Sequence, residues 1–138
     1  MIIGYTTGVF DLFHIGHLNL LKNAKGLCDK LVVGVTTDEL VSYKNKQAVI
    51  PFNERLDIVQ NIKLVDVAVP QDSMDKIEAW NKIKFDVMFV GDDWYETPKW
   101  KELDENFKSL GVKIVYFSYT KGTSSTLINK TLERLRKE

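Results

Sequence analysis

The sequence is poor in several things, and each shortage excludes something. It holds a single cysteine, Cys28, in 138 residues. No internal disulfide can form, and a cysteine-based zinc site is ruled out. Cys28 falls in a helical apolar pattern and reads as a buried small residue rather than a nucleophile. There is no surplus of either charge, since 19 basic residues balance 19 acidic ones. A general nucleic-acid binder shows a basic excess, so that class is not expected, and any anion must be gripped by a local site. Zero net charge also removes a brake on self-association, which leaves a homodimer as an expectation. No apolar run approaches the ~20 residues that cross a bilayer, so no membrane role is expected. Met1-Ile2-Ile3-Gly4-Tyr5 offers no basic region ahead of an apolar stretch and does not read as a signal peptide, which makes the cytoplasm the expected location. Low-complexity tracts, internal repeats and linkers are missing as well.

What is present is a regular alternation. Hydrophobic residues make up 44% and charged residues 28%, the balance of a soluble globular domain, and the length suits one domain spanning residues 1–138. Strand-like runs occur at 2–7, 31–35, 65–69, 85–90 and 112–117. Between them lie helical patterns: Ile15, Leu18, Leu21 and Ala24; a short helix at 37–40; Leu56, Val59 and Ile62 after Pro51; 77–83; and 100–110 closed by Gly111. Ser124 or Ser125 is placed to cap a last helix carrying Leu127, Ile128, Leu132 and Leu135. Pro70 is expected to stop the third strand. Strands that alternate with helices pair in parallel, so the predicted fold is α/β, a single Rossmann-like domain with a parallel five-stranded sheet and flanking helices. Ligands of such sheets bind beyond the carboxyl ends of the strands. That rule selects residues 7–17, 36–46, 70–72, 91–94 and 118–125.

The first of these segments carries the most chemistry. Thr7-Gly8-Val9-Phe10-Asp11-Leu12-Phe13-His14-Ile15-Gly16-His17 spans the passage from strand one to helix one. Two histidines three residues apart at a helix start project from neighbouring positions, and the helix terminus adds free N–H groups suited to phosphate. Gly8 and Gly16 permit close backbone approach. The pair has a competing reading as metal ligands or turn-fillers, and the glycines and the strand-to-helix setting favour phosphate. Lys44 and Lys46 lie in a polar stretch that reads as a loop. Taken alone, Gly91-Asp92-Asp93 is equally a strand-ending turn, and Thr123-Ser124-Ser125 an ordinary helix cap. Arg55 is equally a helix-surface ion pair, and Trp94 or Trp100 equally a core residue.

The stretch from Gly8 to His17 resembles the signature of the HxGH nucleotidyltransferases, more narrowly the cytidylyltransferases. Three more segments agree in type and order. Lys44-Asn45-Lys46 resembles the lysine-bearing loop after the second strand. Gly91-Asp92-Asp93-Trp94 is similar to the Gly-Asp-Asp-Trp of glycerol-3-phosphate cytidylyltransferases, and Lys121-Gly122-Thr123-Ser124-Ser125-Thr126 to their Glu-Gly-Ile-Ser-Thr-Thr. Asn53-Glu54-Arg55 also resembles choline-phosphate cytidylyltransferases. The resemblance implies attack of a phosphate monoester on the α-phosphorus of CTP, with pyrophosphate released. His14, His17 and Lys44 would then be catalytic. Thr7, Gly8, Phe10, Asp11, Gly16, Lys46, Gly91, Asp92, Asp93, Trp94, Thr123, Ser124, Ser125 and Thr126 would hold the nucleotide. Lys44, Arg55, Lys63 and Tyr119 would face the acceptor. Mg²⁺ would accompany the triphosphate, with Asp11 aiding its placement.

The chain departs from that group at two points. Lys63-Leu64-Val65-Asp66 stands where Arg-Tyr-Val-Asp is usual, and Tyr119-Thr120-Lys121-Gly122 where Arg-Thr-Glu-Gly is usual. Lysine and tyrosine lack the bidentate fork of a guanidinium, so the acceptor is left open. Glycerol 3-phosphate leads, followed by choline phosphate, ethanolamine phosphate or another phosphorylated polyol. Adenylyl transfer from ATP, or a nucleotide-binding module without turnover, are the other classes.

Overall fold

Leu31, Val32, Val33 and Val35 form the most apolar run in the chain, and all four are buried. A strand needs such a run only when both of its faces are covered. In the computed structural model, which describes residues 1–43, 47–91, 97–118 and 132–135, this strand (β2, Lys30–Thr36) lies inside a five-stranded sheet. The other strands are β1 (Ile3–Gly8), β3 (Val67–Gln71), β4 (Val87–Gly91) and β5 (Lys113–Phe117). Their order is β3-β2-β1-β4-β5, and every pairing is parallel. The α/β sheet expected from the sequence is thus the observed one.

Side-chain alternation divides the core into two layers. Leu31, Val33, Val35 and Phe89 face helices α1 (Ile15–Lys25) and α3 (Phe52–Gln60), which contribute Leu21, Ala24 and Val59. Tyr5, Val32, Met88 and Val90 face α4 (Lys76–Ile83) and α5 (Pro98–Ser109), which contribute Ile77, Trp80, Trp100 and Phe107. Trp100 is therefore a core residue. The chain crosses from the first layer to the second through β3 and α4, and this reversal beside β1 opens a crevice at the carboxyl ends of β1 and β4.

Local rules explain most boundaries. Asp75 caps α4 by accepting from the amides of Ile77 and Glu78. Pro98 opens α5, and Gly111 follows its end with φ +77°, a conformation that favours glycine. Two expectations are corrected. β3 begins at Val67 and runs through Pro70, which pairs in register with Val35. The proline is tolerated because β3 is an edge strand, whose outer side needs no donor. Cys28 is half-buried rather than buried, its thiol directed to the Ala24 carbonyl (3.3 Å), and burial raises its pKa. Residues 132–135 are helical. The proposed cap at Ser124–Ser125 lies outside the described residues.

Candidate active site

Between β1 and α1 the backbone takes a course that few residues accept. Phe10 and Leu12 both have left-handed φ values, 53° and 50°. Such outliers cost of order 1–3 kcal/mol each and persist only where the surroundings fix them. Here the fixing is visible. Phe10 is buried in the α1–α3 layer, and a Cβ on Gly8 would come within 3.0 Å of its ring. A side chain at position 8 would thus press on the Phe10 ring, and Phe10 serves as a packed anchor for the loop.

The loop delivers His14 and His17 as a reciprocal cap. His14 is the N-cap of α1, and its Nδ1 accepts from the Gly16 amide at 3.0 Å. The His14 amide in turn donates to Nδ1 of His17 at 3.2 Å. The two rings stack with centroids 3.9 Å apart, and Phe10 and Phe13 pack on His17 at 5.3 and 5.2 Å. Because each Nδ1 is an acceptor, each neutral ring carries its proton on Nε2. Burial keeps the rings neutral: it lowers the pKa of His14, and that of His17 drops to about 4, with neighbouring His14 adding to the effect and Asp11 opposing it. The site therefore presents two neutral N–H donors above the carboxyl end of β1. Sequence spacing located the pair; the tautomers come from the cap.

Asp11 and Arg55 form a second layer of support. The Asp11 carboxylate is buried and accepts from the amides of Val49 (2.8 Å) and Ile50 (2.9 Å). Arg55 is fully buried. It donates to the carbonyls of Ile50 (2.8 Å), Val9 and Thr36 (both 2.7 Å) and to Asp38 (2.6 Å). The Phe52 amide and the Arg55 guanidinium hold Asp38 below the usual carboxylate range. One expectation changes accordingly: Arg55 commits four of its five N–H donors to backbone carbonyls and Asp38, so it supports the fold rather than an acceptor. Asp11 holds residues 49 and 50 through one amide on each carboxylate oxygen. No group of three His, Cys, Asp or Glu side chains suited to a metal occurs among the described residues.

Lys63 also stands elsewhere. It follows α3, ahead of Val65 and β3, so parallel pairing puts it at the amino-terminal edge of the sheet, opposite the histidines of its own chain. Thr7, Gly8, Gly16 and Gly91 do lie at the carboxyl edge, with Gly91 ending β4. Lys44, Lys46, Asp92, Asp93, Trp94, Tyr119, Thr123, Ser124, Ser125 and Thr126 lie outside the described residues.

Two features escaped the sequence reading. Thr36 donates to Gln71 at 2.7 Å, with both residues buried, tying the carboxyl ends of β2 and β3 together. Lys76, the first residue of α4, is 8% exposed and sends Nζ to within 3.3 Å of Thr7 Oγ1. A signal for it existed: a lysine directly after an aspartate cap opposes the helix dipole and needs a reason to be there.

Comparison with known proteins bears on this arrangement. Residues 5–131 match the family model described as Cytidylyltransferase-like. The chain is 37% identical over 131 residues to the glycerol-3-phosphate cytidylyltransferase of Bacillus spizizenii, covering 94% of this chain and 96% of that one. It is 34% identical over 138 residues to the FAD synthase of Thermoplasma volcanium, covering 96% of each. A solved structure described as the lipopolysaccharide core biosynthesis protein of Thermoplasma volcanium GSS1 superposes with a TM-score of 0.74 at 31% identity, covering 89% of this chain and 99% of that one. The crevice at the carboxyl edge, the histidine cap above it and a match over nearly the whole chain lead to one conclusion: this chain belongs to the cytidylyltransferase-like family of nucleotidyltransferases.

Proposed function

We propose that this protein transfers the CMP group of CTP to a small phosphorylated alcohol, glycerol 3-phosphate foremost, yielding a CDP-alcohol and pyrophosphate. An oxygen of the acceptor's phosphate bonds to the α-phosphorus, and the bond from that phosphorus to the oxygen bridging the β-phosphate breaks. The acceptor is already ionised, so no strong base is needed, and the demand falls on alignment and on charge growing at the α-phosphoryl oxygens. The observation that carries the reading is the pair of Nε2–H donors of His14 and His17, fixed in tautomer by α1 and fixed in place by Phe10. Lys44 and Lys46 are assigned to the phosphates, and Thr123, Ser124, Ser125 and Thr126 to the β- and γ-phosphates, following the motif match. Asp92, Asp93 and Trp94 are assigned to the nucleotide on the same ground. Mg²⁺ belongs to this reading as the companion of the triphosphate, with Asp11 aiding its placement.

A homodimer and a cytoplasmic location complete the proposal. The zero net charge sets no long-range repulsion against pairing, and CTP is a cytoplasmic substrate. No helix among the described residues is long and apolar enough to cross a membrane. A second reading, adenylyl transfer from ATP, draws on the relative named FAD synthase, whose product contains an adenylyl group. A pyrophosphate-release screen of CTP and ATP against phosphorylated alcohols and FMN separates the two. Turnover with CTP and glycerol 3-phosphate is the expected outcome. Turnover with ATP alone would overturn the first reading.

A further inference from the structure

We infer that Phe13 is a positioning residue for the histidine pair: its ring props the imidazole of His17 against His14 and keeps the reciprocal cap of α1 in register. Its kinetic consequence rests on the phosphoryl-transfer reading above; its structural consequence does not. Phe13 directly precedes the N-cap His14. An apolar side chain at that position packs on the first turns and fixes the angle at which the chain enters a helix. Here the ring reaches His17, the third helical residue, with centroids 5.2 Å apart and planes 37° apart. Phe10 lies 5.3 Å from His17 and 6.3 Å from Phe13, so the three rings form one cluster. Phe10 is buried within the α1–α3 layer, whereas Phe13 is half-buried and packs against it.

The cap by itself holds His17 weakly. Its Nδ1 must face the His14 amide for the cap to close, and a half-turn of the ring about χ2 exchanges Nδ1 with Cδ2 and loses that bond. At 3.2 Å the bond lies at the long end of the normal range, and one neutral hydrogen bond within reach of water restrains little. Aromatic packing supplies the restraint that the bond lacks. The support given by Asp11 and Arg55 stops short of the pair. Arg55, paired with Asp38 of α2 (Asp38–Tyr43), holds Val9, and Asp11 holds residues 49 and 50. Beyond Asp11 the chain turns at Leu12, whose φ of 50° persists only under restraint from its surroundings. Phe13, packed on the core layer and on His17, supplies that restraint on the side of the helix, as Phe10 does on the side of the strand.

The test uses the full chain with Phe13→Ala, which removes the ring, and Phe13→Leu, which keeps an apolar side chain of similar reach. Nitrogen NMR of the imidazoles, at mildly alkaline pH and without substrate, reads the tautomer directly. In the wild type and in Phe13→Leu, His17 should show Nδ1 unprotonated and Nε2 protonated. In Phe13→Ala both nitrogens should move toward the averaged shifts of a free imidazole. Should Phe13→Ala fail to fold, Phe13→Val, whose side chain is too short to reach the His17 ring, decides by the same shifts. Pyrophosphate release from CTP and glycerol 3-phosphate is the second readout. Phe13→Ala should lower kcat by about tenfold or more, because a preorganised donor has lost its aim. The KM for glycerol 3-phosphate should stay within about twofold, and Phe13→Leu should recover most of kcat. A single Nε2-protonated tautomer at His17 in Phe13→Ala, or a loss of kcat that Phe13→Leu does not recover, would overturn the assignment. If the wild type turns over no phosphorylated alcohol, the reaction proposed above falls, and the nitrogen shifts still decide for or against Phe13.

Discussion

His17 is kept neutral by its surroundings to about pH 4, whereas a histidine in an unfolded chain takes its proton near 6.5. Between these values the unfolded chain binds more protons than the folded one, so stability rises with pH across that window and is lost on acidification through it. Thermal melts from pH 8 to pH 4 should show the midpoint falling below about pH 6.5, and His17→Gln should flatten that slope. A wild-type midpoint indifferent to pH in this range would remove the claim that burial sets the protonation state. The same residue carries the kinetic expectation. One preorganised donor at developing charge is worth on the order of 10²–10³ in rate. His14→Ala and His17→Ala should each lower kcat by about a hundredfold or more. Far-UV circular dichroism should remain close to wild type, because both side chains lie in the first turn of α1 while Leu21 and Ala24 hold the rest of the helix on the sheet. A folded His17→Ala enzyme with near wild-type kcat would end the catalytic assignment.

At the scale of elements, Asp11 and Arg55 act as a two-sided clip. Asp11 takes the amides of Val49 and Ile50, and Arg55 takes the carbonyls of Val9, Thr36 and Ile50. The histidine loop, the end of β2 and the chain entering α3 are thereby held as one unit. Removing the guanidinium leaves three carbonyls and Asp38 without that partner, and each orphaned buried group costs about 1–3 kcal/mol. Arg55→Met should therefore lower stability by several kcal/mol in urea titration, and speed hydrogen exchange at Val49 and Ile50 ahead of the strands. Equal acceleration across the whole sheet would mean the clip has no local role. On the proposed function, exchange over residues 42–48 should slow when CTP and Mg²⁺ are added, because Lys44 and Lys46 gain phosphate partners only then. Unchanged protection at saturating nucleotide would reduce those lysines to surface residues.

For the molecule as a whole, the two core layers share one sheet, so neither should unfold alone. Phe89 is 1% exposed, faces the α1–α3 layer and stacks on Phe117 at 5.5 Å. Phe89→Ala should cost about 3–5 kcal/mol, a large part of the roughly 5–15 kcal/mol that a domain holds. The fluorescence of Trp80 and Trp100, which sit in the other layer, should report the same midpoint as far-UV circular dichroism. Separate midpoints would show that the layers come apart independently.

The sequence by itself determined the fold class and the passage at which the two histidines meet. Alternating apolar runs and amphipathic segments sufficed for a parallel sheet with covered faces, since burial on two sides leaves the continuous signature of Leu31–Val35. The spacing of His14 and His17 at a strand-to-helix passage sufficed to place the two imidazoles side by side at the start of α1. Tertiary structure decided what short-range pattern cannot encode. Arg55 sits at an ordinary helical position, and only the convergence of Val9, Thr36 and Ile50 from distant parts of the chain makes it a buried clip rather than a ligand contact. Lys63 looks like a site residue until parallel pairing carries it to the far edge of the sheet. Pro70 looks like a strand terminator until β3 proves to be an edge. Lys76 meets Thr7 only because the crossover to β4 brings α4 to the carboxyl end of β1. Periodicity reports which side of an element is buried; it is blind to which elements meet, because those contacts join residues tens of positions apart.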